Sequence, residues 1–349
     1  MKIGLSFLLL AAILQAASTP SPALLVLSKG DNALEIVNPA NLQIIAAVPC
    51  GPDPHEVIAS TDGKLAYVSN YGGGAYNTLS VVDLVTKQAL PKIDLGALRG
   101  PHGLVYSHNK VWFTAEAAKA IGSYDPATQK VNWILGTGQN RTHMLWVSED
   151  LKHIVTSNVS SATVSMIDQT TVQAPAFGPG PGGPPPGAPK GPGPGGPPRL
   201  DWNETVVPVG HGSEGFDVAP DGKQIWVANA QDGTLSVIDV AEKKVVQTLD
   251  ANVKGANRLK FTPDGKLVFV STLGGSDVTV FDAATRAVRK RINIGHGAAG
   301  ILMQPDGARV YVACTPDDYV AIIDPASLTV SGHIGNIKHP DGLAWAVSR

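Results

Sequence analysis

Three histidines of this chain recur in one local context: His55 in PHEV, His102 in PHGL and His143 in THML. Three neutral imidazoles with a carboxylate beside them form a donor set for a borderline divalent metal such as Zn or Cu. The same side chains titrate near neutral pH, so a carboxylate such as Glu56 or Glu116 could orient one of them for acid or base work. Glu214, Asn257, Ala299 and Asp341 occupy the equivalent context further along the chain, and Arg141 and Arg258 flank it. Their guanidinium groups suit a carboxylate or phosphate. No HExxH, GxSxG, P-loop or paired CxxC motif occurs, so catalytic residues are not assigned. The candidate site is defined by position instead: His55, His102, His143, Glu116, Arg141, Glu214, Asn257, Arg258 and Asp341 bind a ligand, with His55, His102 and His143 as the metal set. Duplication of a repeat by descent is the competing explanation for the matched histidines.

The elements that must position these residues are legible in Phe216 to Ala251, FDVAPDGKQIWVANAQDGTLSVIDVAEKKVVQTLDA. It contains four short runs rich in β-branched and aromatic residues, separated by Pro220-Asp221-Gly222, by Asn229 to Gly233 and by Ala241 to Lys244. Asp-Gly supplies the positive φ of a tight hairpin, and runs this short predict a four-stranded antiparallel meander. Aligned on the end of the third strand, the unit recurs at Asn38, Asp83, Asp125, Asp168, Asp239, Asp282 and Asp324, spaced by 45, 42, 43, 71, 43 and 42 residues. Seven four-stranded units of this period predict an all-β, seven-bladed β-propeller, each sheet burying its faces on its neighbours. The first unit begins at its second strand, LLVLS (24–28), and DGLAWAVS (341–348) supplies the missing one. The C-terminal strand thus closes the first blade and removes an open edge. In this register the matched residues stand at or before the start of the inner strands, at one mouth of the channel.

The strings LAYVSN (65–70), IWVAN (225–229), TLSVID (234–239) and VYVAC (310–314), with PDGK at 220–223 and 263–266, resemble the YVTN-repeat β-propeller family. The resemblance covers nearly the whole chain beyond its leader and insertion. It implies a scaffold used by surface-layer proteins, by lactonase-type enzymes and by the propeller parts of redox enzymes. Fold alone does not choose among them. A binding or scaffold module with a ligand or metal site at the mouth is the first expectation; a lactonase- or lyase-type enzyme using the same mouth is the alternative. A redox cofactor rests on the resemblance alone, and no CxxCH is present for covalent haem attachment.

The interval of 71 holds a Pro/Gly-rich stretch, 173–199, between the third and fourth strands of blade four. Its composition offers too little apolar surface to offset ordering entropy, which predicts a disordered loop, with a tether as the functional alternative. Residues 1–18 combine Lys2, an apolar run and small residues, the pattern of a secretory signal peptide. The expected mature chain, 19–349, is one exported propeller, periplasmic or extracellular, monomeric, and without a membrane span. A net charge of −2 and a pI near 6.5 argue against nucleic-acid partners. A small molecule or a protein at the mouth is the expected partner. Trp112, Trp133, Trp146, Trp226 and Trp345 fall in strands and are expected to pack between blades. Cys50 and Cys314 fall in loops of different blades, so two separate thiols are expected rather than a disulfide.

Overall fold

The computed structural model describes residues 18–173 and 198–347. They form seven sheets of four antiparallel strands, and the inner strand of blade one, Pro340–Ala346, comes from the C-terminal end. It pairs Leu343 with Val26 and Trp345 with Leu24, so the ring closes through hydrogen bonds between chain ends. The leader expected at 1–18 lies outside the described residues but for Ser18, and so does most of the insertion. Strands Thr163–Val172 and Arg199–Pro208 flank it and pair as far as Val172 with Arg199, so Arg199 belongs to a strand.

Burial follows from the layer each strand occupies. Second and third strands lie between two neighbouring blades, and a second strand such as Leu65–Asn70 is buried at all but its first residue. Such strands read as continuous apolar runs rather than alternating ones. The rim strand Lys130–Gly136 instead alternates between exposed and half-buried positions. Apolar clusters fill the seams between adjacent blades; one joins Leu25, Leu34 and Ile36 of blade one to Val57, Val68 and Val82 of blade two. Another seats the fully buried Trp226 of blade five against Phe261 and Phe281 of blade six. Trp112, Trp133 and Trp202 form a chain of ring contacts in blades three and four.

The Asp that marks the end of the third strand has a local task. Asp83 Oδ1 accepts hydrogen bonds from the backbone N–H of Val85 and Thr86, and Asp125, Asp239, Asp282 and Asp324 cap the same turn. This is an Asx turn, which explains the constant spacing. Asp168 departs from it because its strand continues to Val172; it pairs with His153 and Lys243.

The feature that builds the mouth is a bulge at the start of the inner strands. In blade three, Pro101 pairs with Ala115 but the next pair is Leu104 with Phe113, leaving His102 and Gly103 out of the ladder. The same shift follows Pro54, Thr142, Ser213, Ala256 and Ala298. A bulge bends the strand and re-aims its side chains. The second-strand hydroxyl facing it satisfies the freed groups: Thr114 Oγ1 accepts the Gly103 N–H at 2.9 Å and donates to His143 O at 2.6 Å, in the next blade. Ser157 repeats the arrangement with Met144 N and Glu214 O.

Candidate functional site

His55, His102, His143, Glu214, Asn257, Ala299 and Asp341 are each the second residue of an inner strand, inside the bulge. All but His102 line one cavity of about 600 Å³ at the channel mouth, which Arg141 and Arg258 line as well. His102 is fully buried behind them, between the rings of His55 and His143 at centroid distances of 4.5 and 3.7 Å. Glu116, just after the second strand of blade three, is also buried beside this group. The structure therefore brings all nine expected site residues to one place.

His143 is the centre of the polar network. Its Nδ1 is hydrogen-bonded to Glu116 Oε1, and its Nε2 lies 2.9 Å from Glu214 Oε2 but is not aligned for a hydrogen bond. Tyr71 donates to the other oxygen of Glu116. Arg141 stands over both carboxylates, its Nε 3.5 Å from Glu116 and its Nη1 3.6 Å from Glu214. Burial works against charge on His143, but the two flanking carboxylates outweigh it and raise its pKa. Burial likewise opposes charge on Glu214, yet His143 and the two arginines hold its carboxyl at about 2. His102 is driven the other way: burial first, then the positive charges around it, keep it neutral.

A second network closes the blade-one side. Lys29 Nζ donates to His55 Nδ1 at 2.6 Å and lies 2.9 Å from Asp53 and 3.2 Å from Asp341. Neutral Nδ1 as acceptor leaves the His55 proton on Nε2. Arg258 reaches across the mouth to Glu56, Nη2 to Oε1 at 2.7 Å, and holds Asn257 Oδ1 at 3.0 Å. Glu56 thus serves Arg258 rather than orienting a histidine.

Position in the repeat located the ring residues but missed Lys29, Asp53 and Tyr71. Tyr71 opens the Gly-rich loop of blade two, where Gly72 adopts φ +57° and donates its N–H to Asp53. No repeat-wide pattern marks these three. Three further histidines lie at the mouth: exposed His339 lines the cavity as well, whereas His211 and His296 are rim groups, well exposed, that lean on Asp232 and Asp317 through backbone and ring nitrogens. Cys50 and Cys314 are free thiols. Burial pushes both up to about 12, leaving them protonated and inert at neutral pH. Cys314 ends a strand, Val310–Cys314, rather than standing in a loop.

No family model matches the sequence, and no curated protein matches it. Solved structures do match in shape. A functionally unknown protein from Desulfotomaculum acetoxidans superposes with a TM-score of 0.72 at 13% identity, over 94% of this chain and 100% of that one. A protein described as a candidate 6-phosphogluconolactonase from Bacteroides uniformis gives 0.69 at 14% identity, over 93% and 99%. Hydrazine synthase from Kuenenia stuttgartiensis gives 0.59 at 17% identity, over 78% and 76%. At these identities the likeness is one of fold. Among the described residues, no helix is long and apolar enough to cross a membrane.

Proposed function

We propose that this chain is an exported propeller of the YVTN type that binds a small molecule at the histidine-rich mouth. The ligand has an oxygen-rich head, a carboxylate or a lactone carbonyl, and an apolar body. The observation that carries this reading is the division of the cavity wall. Blades one, two, four and five contribute charged and polar groups, among them Lys29, Asp341, His55, Arg141, His143 and Glu214, whereas blades six and seven contribute the apolar Leu273, Gly297, Ala299 and Pro316 beside Asn257, Arg258 and Thr315. A mostly apolar pocket with a few convergent polar groups is the usual form of a small-molecule site.

Arg141 is the group best placed to take the head. Its contacts with Glu116 and Glu214 are long, and its side chain is 41% exposed, so guanidinium donors remain for a ligand. Arg258, by contrast, is committed to Glu56 at 2.7 Å. Binding is favoured over acid–base catalysis because both nitrogens of His143 already face carboxylates, leaving neither turned to a substrate proton. The lactonase-type reading keeps one specific support, the shape shared with the Bacteroides uniformis protein.

Calorimetric titration of the full chain with benzoate, a carboxylate head on an apolar ring, tests the binding reading. Measurable binding that weakens about 10- to 100-fold in Arg141→Gln is expected for loss of a charge-assisted hydrogen bond. Equal binding by wild type and variant, or none by either, sinks it. Hydrolysis of 6-phosphogluconolactone above the spontaneous rate would favour the enzyme reading.

A further inference from the structure

Among the described residues, one ring nitrogen each of His102 and His143 and one carboxylate oxygen of Glu116 lie within 4.8 Å of one another, all three residues being buried. Neither ring nitrogen of His102 has a hydrogen-bond partner, and the side chain is wholly removed from solvent. A buried imidazole with both nitrogens unsatisfied is costly, and native proteins leave few such groups without a partner. The sequence places this histidine there by register, and the Thr114 hydroxyl and the bulge hold its strand in place.

The mouth as a whole holds more carboxylates than lysine and arginine side chains. Asp53, Glu56, Glu116, Glu214 and Asp341 bring five carboxylates to the mouth against the three cations Lys29, Arg141 and Arg258. Two of those carboxylates, Glu116 and Glu214, converge on the single ring of His143.

We propose that His102, His143 and Glu116 form a binding site for one divalent transition-metal ion, zinc being the best match to two imidazoles and a carboxylate. Two His and one Glu are a three-ligand set that leaves a fourth tetrahedral position for water or a ligand. Of the three, His143 also lines the cavity, so a metal held by this set would lie next to it. The metal gives His102 the partner it lacks and takes the carboxylate that now crowds His143. His55 stays outside the set because Lys29 occupies its Nδ1. Tyr71 and Arg141 steady Glu116 from the other side, the arrangement by which neighbouring groups orient a metal-binding carboxylate. The site does not depend on the organic ligand proposed above, since metal occupancy is read without one.

The test is a titration of the full chain, produced without a histidine tag and stripped with EDTA, with Zn²⁺ by calorimetry and with Co²⁺ by visible absorption. Binding of one equivalent, with the strong visible bands of four-coordinate cobalt, is the expected result. His102→Ala and Glu116→Gln should each weaken it at least about 100-fold. The rim variant His296→Ala should bind as wild type does. Absence of binding by the folded wild type overturns the proposal, as does one-equivalent binding that survives both substitutions. Circular dichroism confirms folding of each variant. Glu116→Gln keeps the side-chain volume, so it carries the test if His102→Ala does not fold.

Discussion

The rings of His102 and His143 lie 3.7 Å apart between centroids although they belong to different blades, and the residue between them that permits this is Gly103. A Cβ at position 103 would stand 2.6 Å from the carbonyl oxygen of His143. Only a glycine lets inner strands three and four approach this closely.

Gly103→Ala is therefore expected to part the two strands and the two rings. The strain should cost about 1–3 kcal/mol, measured as a lower urea midpoint with an unchanged slope. It should also abolish one-equivalent cobalt binding while the protein remains folded. Unchanged stability and metal binding would show that the approach is not set by this glycine.

Thr114 joins the same two blades through its hydroxyl, accepting from Gly103 and donating to His143. Thr114→Val keeps the shape and leaves a buried N–H and C=O unsatisfied. A loss of about 1–3 kcal/mol in urea unfolding is expected. Ser327→Ala, at an exposed turn bond to Asp324, should cost less.

Glu35 provides a dependence on pH away from the mouth. Burial, and then the nearby Asp31, raise it from 4.5 to about 7. Between those values the folded chain binds more protons than the unfolded chain, so stability falls as pH rises from about 4.5 to about 7. Glu35→Gln removes this loss. Relative to wild type it should gain up to about 3 kcal/mol at pH 8 and little at pH 4. Thermal melts across that range check the prediction, and a gain of equal size at both ends would contradict it.

Trp226 seals the seam between blades five and six with no exposed surface. Trp226→Ala should cost about 3–5 kcal/mol, from lost burial and the cavity left behind. Trp202→Ala, in the outer strand of blade four where the indole is only half-buried, should cost clearly less. Equal costs would mean that the seams do not carry the stability of the ring.

The sequence alone determined the number of blades, the closure by the C-terminal strand and the register of the seven ring positions. Those are local matters: strand length, Asp-Gly turns and the Asx turn at each third strand repeat with a constant period, as Gly63, Gly222, Gly265 and Gly307 confirm with φ of +67° to +75°. The same period placed His55, His102, His143 and their counterparts together, because equivalent positions in a closed ring share one mouth. What each of them touches was decided only in the tertiary structure. Arg258 meets Glu56 across 202 residues of chain, Tyr71 meets Glu116 across 45, and Lys29 meets His55 across 26. These contacts break the repeat rather than follow it. Long flexible side chains from unlike loops choose partners by distance and charge once the ring has closed, and no spacing along the chain encodes that choice. The burial of His102 is of the same kind. Its position came from the repeat, but its two unsatisfied nitrogens exist only because the neighbouring blades of the closed ring shut water out.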